Sequence, residues 1–123
     1  MKILLLNGSP NKEGNTYYLL NEIKKEIEKE NIKTEILNVH EAVCDAKTPF
    51  CTVCSNPCVG ACYKGTLLEE AYNKMEEADC IIVGSPVYFG TMSGQLKVFF
   101  DKTRRLRGIN VFAGKPAGIV TVG

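Results

Sequence analysis

Five residues near the start, Lys2 to Leu6, form a nearly continuous apolar run that passes straight into the loop Gly8 to Gly14, built from Gly, Ser, Pro and Asn. Behind that loop, Tyr17, Leu20, Ile23 and Ile27 recur at three- and four-residue spacing to about Glu30, with Glu22, Lys24, Lys25, Glu26, Glu28 and Lys29 between them. An uninterrupted apolar run suits a strand buried on both faces of a parallel sheet, and the spacing behind it suits an amphipathic helix with a solvated outer side. The pattern repeats. Lys33 to Val39 reads as a second strand, and Thr66 with Glu69 as a capping box opening a helix that carries Leu68, Ala71, Tyr72 and Met75. Asp79 to Gly84 reads as a third strand. Ser93 is expected to cap a third helix whose inward side is Leu96, Phe99, Phe100, Thr103 and Leu106, with Arg104, Arg105 and Arg107 at its C-terminal dipole and Gly108 ending it. Pro116 to Val122 is the fourth strand. Strands alternating with helices predict one α/β domain, residues 1–123, around a parallel sheet with right-handed crossovers.

Residues 40–65 break the pattern. They have neither helical nor strand period and hold five of the six cysteines, and a loop of that length inside a compact domain usually has a function. Composition excludes several classes. The formal charge of +1 supplies no basic field, so sequence-independent nucleic-acid binding is not expected. With 45% apolar and 24% charged residues the chain is too apolar to be disordered. The longest strongly apolar runs, Ile3 to Leu6 and Cys80 to Val83, are far short of a membrane span, and no secretory h-region follows Met1. A cytoplasmic protein is expected, in which clustered thiols ligate metal or do redox chemistry more often than they form structural disulfides.

In a parallel sheet the ligand sits beyond the carboxyl ends of the strands, where the strand order reverses. Two loops are expected there. The first, Asn7 to Thr16, leads into a helix N-terminus, where unpaired N–H groups and the dipole attract an anion. Gly8 and Gly14 permit close approach, and Ser9, Asn11, Asn15 and Thr16 can donate. Asn15 stands where a Walker A loop has Lys, and five residues separate the glycines, so neither a P-loop nor a G-x-G-x-x-G fingerprint is present. A terminal phosphomonoester suits this loop better than a bridging pyrophosphate; helix capping by Ser9 and Asn15 is the simpler alternative. The second loop, Gly84 to Thr91, carries Pro86, Val87, Tyr88, Phe89 and Gly90. Its aromatics can cover a planar ring while backbone N–H groups bond the ring's heteroatoms, or Val87 and Phe89 can plug the core beneath. A phosphate site beside a ring site describes a mononucleotide with a functional ring, and FMN fits best.

The stretches LLLNGSPNKEGNT (Leu4 to Thr16) and GSPVYFGTMSGQLKVFFDKT (Gly84 to Thr103) resemble the flavodoxin-like NAD(P)H-dependent FMN reductase family, and the resemblance runs from Met1 to Gly123. The Cys-bearing insertion is similar to that of its iron–sulfur flavoprotein branch. The resemblance implies a three-layer sandwich truncated after the fourth strand, with FMN phosphate held by Ser9, Asn15 and Thr16 and the isoalloxazine by Pro86, Val87, Tyr88, Phe89 and Gly90. It also implies a further helix, a fifth strand and a closing helix, so a second copy of the chain or a separately encoded partner is expected to cover the fourth strand.

Cys51, Cys54, Cys58 and Cys62 place four thiols in a run of twelve residues. Four thiolates in a tight run commonly hold an iron–sulfur cluster, here 4Fe-4S, although Cys54 and Cys58 are further apart than is usual in that branch. Zinc normally takes two separated C-x2-C knuckles and only Cys51-x2-Cys54 has that form; a Cys51–Cys54 dithiol leaves Cys58 and Cys62 without a role. Zinc, or no metal, stays as the alternative. Cys80 reads as a core residue, His40 as a loop histidine and Glu41 as a solvated carboxylate. No side chain reads as a catalytic acid, base or nucleophile, which suits a flavin that does the chemistry itself. The functional expectation is electron transfer between NAD(P)H or a reduced ferredoxin-type donor and an acceptor. The alternatives are an NAD(P)H-dependent FMN or quinone reductase without a cluster, and a non-catalytic binding module.

Overall fold

The computed structural model describes residues 1–123. Its strands β1 (Lys2–Asn7), β2 (Lys33–Asn38), β3 (Cys80–Pro86) and β4 (Ala117–Val122) form one parallel sheet in the order β2-β1-β3-β4. Leu4 of β1 pairs with Glu35 on one side and Ile81 on the other, and β3 pairs with β4 from Ile81–Ala117 to Pro86–Val122. The chain runs outward from β1 to β2 and then crosses back to β3. The order therefore reverses between β1 and β3, as in the flavodoxin-like fold.

The two faces of β1 show why its run is continuous. Leu4 and Leu6 join one large core with Leu68, Tyr72, Leu96 and Phe99, while Ile3 and Leu5 join Leu20 in a smaller one. Helix α1 (Asn15–Glu28) covers the smaller core with Ile23 and Ile27 and pairs charges along its outside, Lys25 with Glu22 and Lys29 with Glu26. The larger core takes residues from α2 (Val39–Cys44), α3 (Leu67–Glu77), α4 (Gly94–Asp101) and α5 (Arg104–Gly108). Helices on both sides of the sheet make three layers. No helix is long and apolar enough to cross a membrane.

The structure departs from the sequence reading in four places. Helix α2 was not expected; Val39 and Ala42 are buried in the core and Val43 packs against it, in a helix of six residues too short to show a period. Thr66 is the N-cap residue of α3, but the capping box does not form. Its hydroxyl donates to Tyr63 O, Glu69 Oε1 accepts from Gly65 N rather than from Thr66 N, and the Leu67 amide donates to Asp45 Oδ2 at 2.8 Å, a long-range cap. The expected single helix after Ser93 is broken at Lys102–Thr103. There Tyr72 Oη donates to Phe99 O at 2.6 Å, occupying the carbonyl that the Thr103 amide would use in a continuous helix, and that amide goes to Phe100 O instead. Gly108 is the last residue of α5, but it does not supply the left-handed turn, which falls at Asn110, with φ 64°.

Candidate functional site

The loops after β1 and β3 are joined at the switch point. Gly8 N donates to Gly84 O at 2.8 Å, and Ser93 Oγ donates to Gly8 O while accepting from Leu96 N at 3.2 Å. Ser93 N donates in turn to Ser85 Oγ. A Cβ on Gly8 would lie 2.7 Å from Gly84 O, so only glycine allows this approach. Ser93 was read from sequence as a helix cap and does cap α4; its second role, tying the two loops together, had no sequence signal.

The first loop is wound by its own side chains. Asn7 Oδ1 accepts from Ser9 N (3.1 Å), Ser9 Oγ from Asn11 N (3.1 Å), and Asn11 Oδ1 from Glu13 N (3.0 Å). Each turn spans two residues, as the Asn-x-Ser-x-Asn spacing invites. Asn7, fully buried and bonded to Asn38 through Nδ2, anchors the series and was missed by the sequence reading. Gly14 is the N-cap of α1 and offers no side-chain bond, so neither Ser9 nor Asn15 caps this helix. The amides of Gly14, Asn15, Thr16 and Tyr17 therefore have no partner within the chain. Thr16 and Ser9 are buried beside them, and Asn11 and Asn15 are exposed. A helix opening with free donors and no carboxylate in its first turn suits a phosphate. Lys12 lies outside the cradle, paired with Glu41.

In the second loop, Tyr88 N donates to Thr91 O and Thr91 N to Tyr88 O, closing a tight turn with Phe89 and Gly90 at φ 51° and 74°. Positive φ at both central residues is native to glycine and strained for phenylalanine. Phe89 is fully exposed, and Val87 and Tyr88 are exposed too, so the core-plug alternative does not hold. Pro86, Val87 and Gly90 line a cavity of about 310 Å³ with Thr91, Met92 and Phe100. Tyr88 faces another of about 680 Å³ with Phe50 and Cys44. Glycine-permitted approach, free amides and a strained, solvent-facing aromatic turn at one switch point fit a phosphorylated planar ring system.

Cys51, Cys54, Cys58 and Cys62 line one cavity of about 60 Å³ together with Thr48, Lys102 and Arg104. All six cysteines are free thiols, and no three His, Cys, Asp or Glu side chains are gathered closely enough to hold a metal ion. The donor chemistry fits an iron–sulfur cluster, with four thiols and no lining carboxylate. Lys102 was missed, though its place three residues after Phe99 and four before Leu106 puts it on the inward stripe. Cys80 is partly buried against the smaller core, and His40 lies on α2 with Nε2 3.7 Å from Cys44 Sγ.

Comparison with known proteins agrees with this architecture. The chain is 41% identical over its whole length to an iron–sulfur flavoprotein of Methanocaldococcus jannaschii, covering 62% of that protein. It is 36% identical over 87% of its length to an iron–sulfur flavoprotein of Archaeoglobus fulgidus, covering 51% of it. The chain thus spans from about half to just over three fifths of the length of these relatives. Among solved structures it superposes on FerB, a flavoenzyme NAD(P)H:(acceptor) oxidoreductase from Paracoccus denitrificans, with a TM-score of 0.71 at 16% identity, covering 99% of this chain and 60% of that one; this likeness is one of fold. The sheet order, the joined loops and a family-model match over residues 1–123 together place the chain in the NADPH-dependent FMN reductase family.

Proposed function

We propose that this chain is an FMN-binding oxidoreductase that passes electrons from NAD(P)H or a reduced ferredoxin-type donor to an acceptor. The observation that carries the reading is the first turn of α1, whose amides lack partners where the β1 and β3 loops meet. Ser9, Asn11, Gly14, Asn15 and Thr16 would hold the FMN phosphate, and Pro86 to Gly90 would hold the ring. Bound FMN supplies the exchange between two-electron and one-electron chemistry. The chain's residues bind, orient and shield it. Cys51, Cys54, Cys58 and Cys62 would hold an iron–sulfur cluster; the names of the curated relatives and the carboxylate-free thiol cavity support this. A reductase without a cluster is the second reading, favoured by the separation of the thiols.

Titration of the purified chain with FMN should quench the flavin's fluorescence. Riboflavin, which lacks the phosphate, should bind at least about tenfold more weakly, roughly 1.4 kcal/mol. FMN at about a hundred times its Kd should add about 2.7 kcal/mol of stability, read as a rise in Tm. Unquenched FMN with an unchanged Tm would overturn the proposal, and equal affinities for FMN and riboflavin would remove the phosphate cradle from it. Anaerobic incubation with ferrous iron and sulfide should give a brown protein; a yellow one without iron selects the second reading.

A further inference from the structure

The thiol cavity carries two cations and no anion. Lys102 is 2% exposed, and its ammonium donates only to Thr48, to the carbonyl oxygen and, at 2.9 Å, to Oγ1. Arg104 Nη1 reaches Ser55 O at 3.3 Å. Neither takes part in any of the chain's seven ion pairs. A buried ammonium without a counter-ion is costly, and such groups are retained where a negative charge is supplied. The same segment holds two buried hydroxyls without hydrogen-bond partners, Ser55 Oγ and Tyr63 Oη. Ser55 follows Cys54 directly, and Tyr63, 3% exposed, brings its hydroxyl over Gly60, between Cys58 and Cys62 in the chain. Of the residues lining the cavity, only the thiols can become negative.

We propose that Lys102 and Arg104 are the counter-charges, and the Ser55 and Tyr63 hydroxyls the donors, for an anionic iron–sulfur centre on Cys51, Cys54, Cys58 and Cys62. This rests on the iron–sulfur reading above. Nearby positive charge and hydrogen bonds to sulfur favour the reduced, more negative state, and so raise the reduction potential. A purely structural Lys102 would leave that potential where it is.

The test is anaerobic reconstitution of the full chain with ferrous iron and sulfide, assay of both, and a dithionite titration followed by electron paramagnetic resonance. Lys102→Met should shift the oxidised-to-reduced equilibrium at least tenfold toward the oxidised form, a fall of 59 mV for a one-electron couple. Lys102→Arg should stay near the wild type. Tyr63→Phe, which removes one hydroxyl and keeps the ring, should lower the potential by a smaller step, and it keeps the test alive if Lys102→Met fails to fold. Iron and sulfide loaded at wild-type levels with unmoved potentials in Lys102→Met and Tyr63→Phe would overturn the proposal alone. Absence of iron and sulfide from the reconstituted wild type would overturn the iron–sulfur reading, and this inference with it.

Discussion

Tyr72 shows how much one buried side chain decides. Its ring stacks edge-on against Tyr63 at 4.9 Å and tilts against Phe99 at 5.1 Å, and its hydroxyl captures the carbonyl that divides α4 from α5. Burial pushes its phenol well above the ordinary tyrosine range, with the neighbouring Tyr63 adding to the shift. A folded pKa raised above the unfolded value of about 10 means that the unfolded chain sheds the proton first. The stabilisation is therefore complete below about pH 10 and is lost as pH rises from there toward the folded value. Urea melts at pH 7, 10 and 11 should show stability falling above pH 10 by up to about 1.4 kcal/mol per pH unit from this group. Tyr72→Phe should cost about 1–3 kcal/mol at pH 7 through the orphaned carbonyl and flatten the alkaline loss. Equal alkaline slopes in the two proteins would remove Tyr72 as the cause.

At the scale of elements, the two helix starts at the switch point are finished in opposite ways. Helix α4 is capped by Ser93, while α1 begins at Gly14 with its amides open. The capped helix fixes the geometry, because the cap hydroxyl also bonds Gly8 O; the open one is left to receive a ligand. Ser93→Ala removes the cap and the tie together. It is expected to cost about 1–2 kcal/mol, the upper range for a lost cap, and to weaken FMN binding more than riboflavin binding. A variant that loses stability while keeping the wild-type preference for FMN would show that the tie does not shape the cradle. The strain at Phe89 belongs to this scale too: a tight turn with two positive φ values holds an aromatic in solvent next to Gly90, which lines the cavity of about 310 Å³, and such strain gathers at binding sites.

Across the whole molecule, the sheet is open at two edges, β2 and β4. Strand β4 is an edge, its Ile119 is 77% exposed, and beside it lies an apolar cavity of about 420 Å³ lined by Met75, Ile81, Val83, Phe100 and Phe112. Unpaired strand edges template pairing with another copy. The 123-residue chain is expected to self-associate at micromolar concentration in sedimentation, and a charge at the edge, Ile119→Lys, should shift it toward monomer. A wild type that sediments only as a monomer would exclude this.

The fold was largely legible because its signals are local. A β1 apolar on both faces, helical spacing in α1 and α3, and turn formers between them leave few topologies once crossovers must be right-handed. The meeting of the loops after β1 and β3 was legible for the same reason, since their residues lie in short contiguous stretches. Tertiary structure alone decided what depends on distant partners. Asp45 rather than Thr66 caps α3, Tyr72 breaks the third helix at a carbonyl 27 residues away, and Lys102 reaches Thr48 across 54 residues to stand beside four thiols. A residue's sequence neighbours determine its period and its turn, whereas the partner of a buried hydrogen-bonding group is chosen by packing.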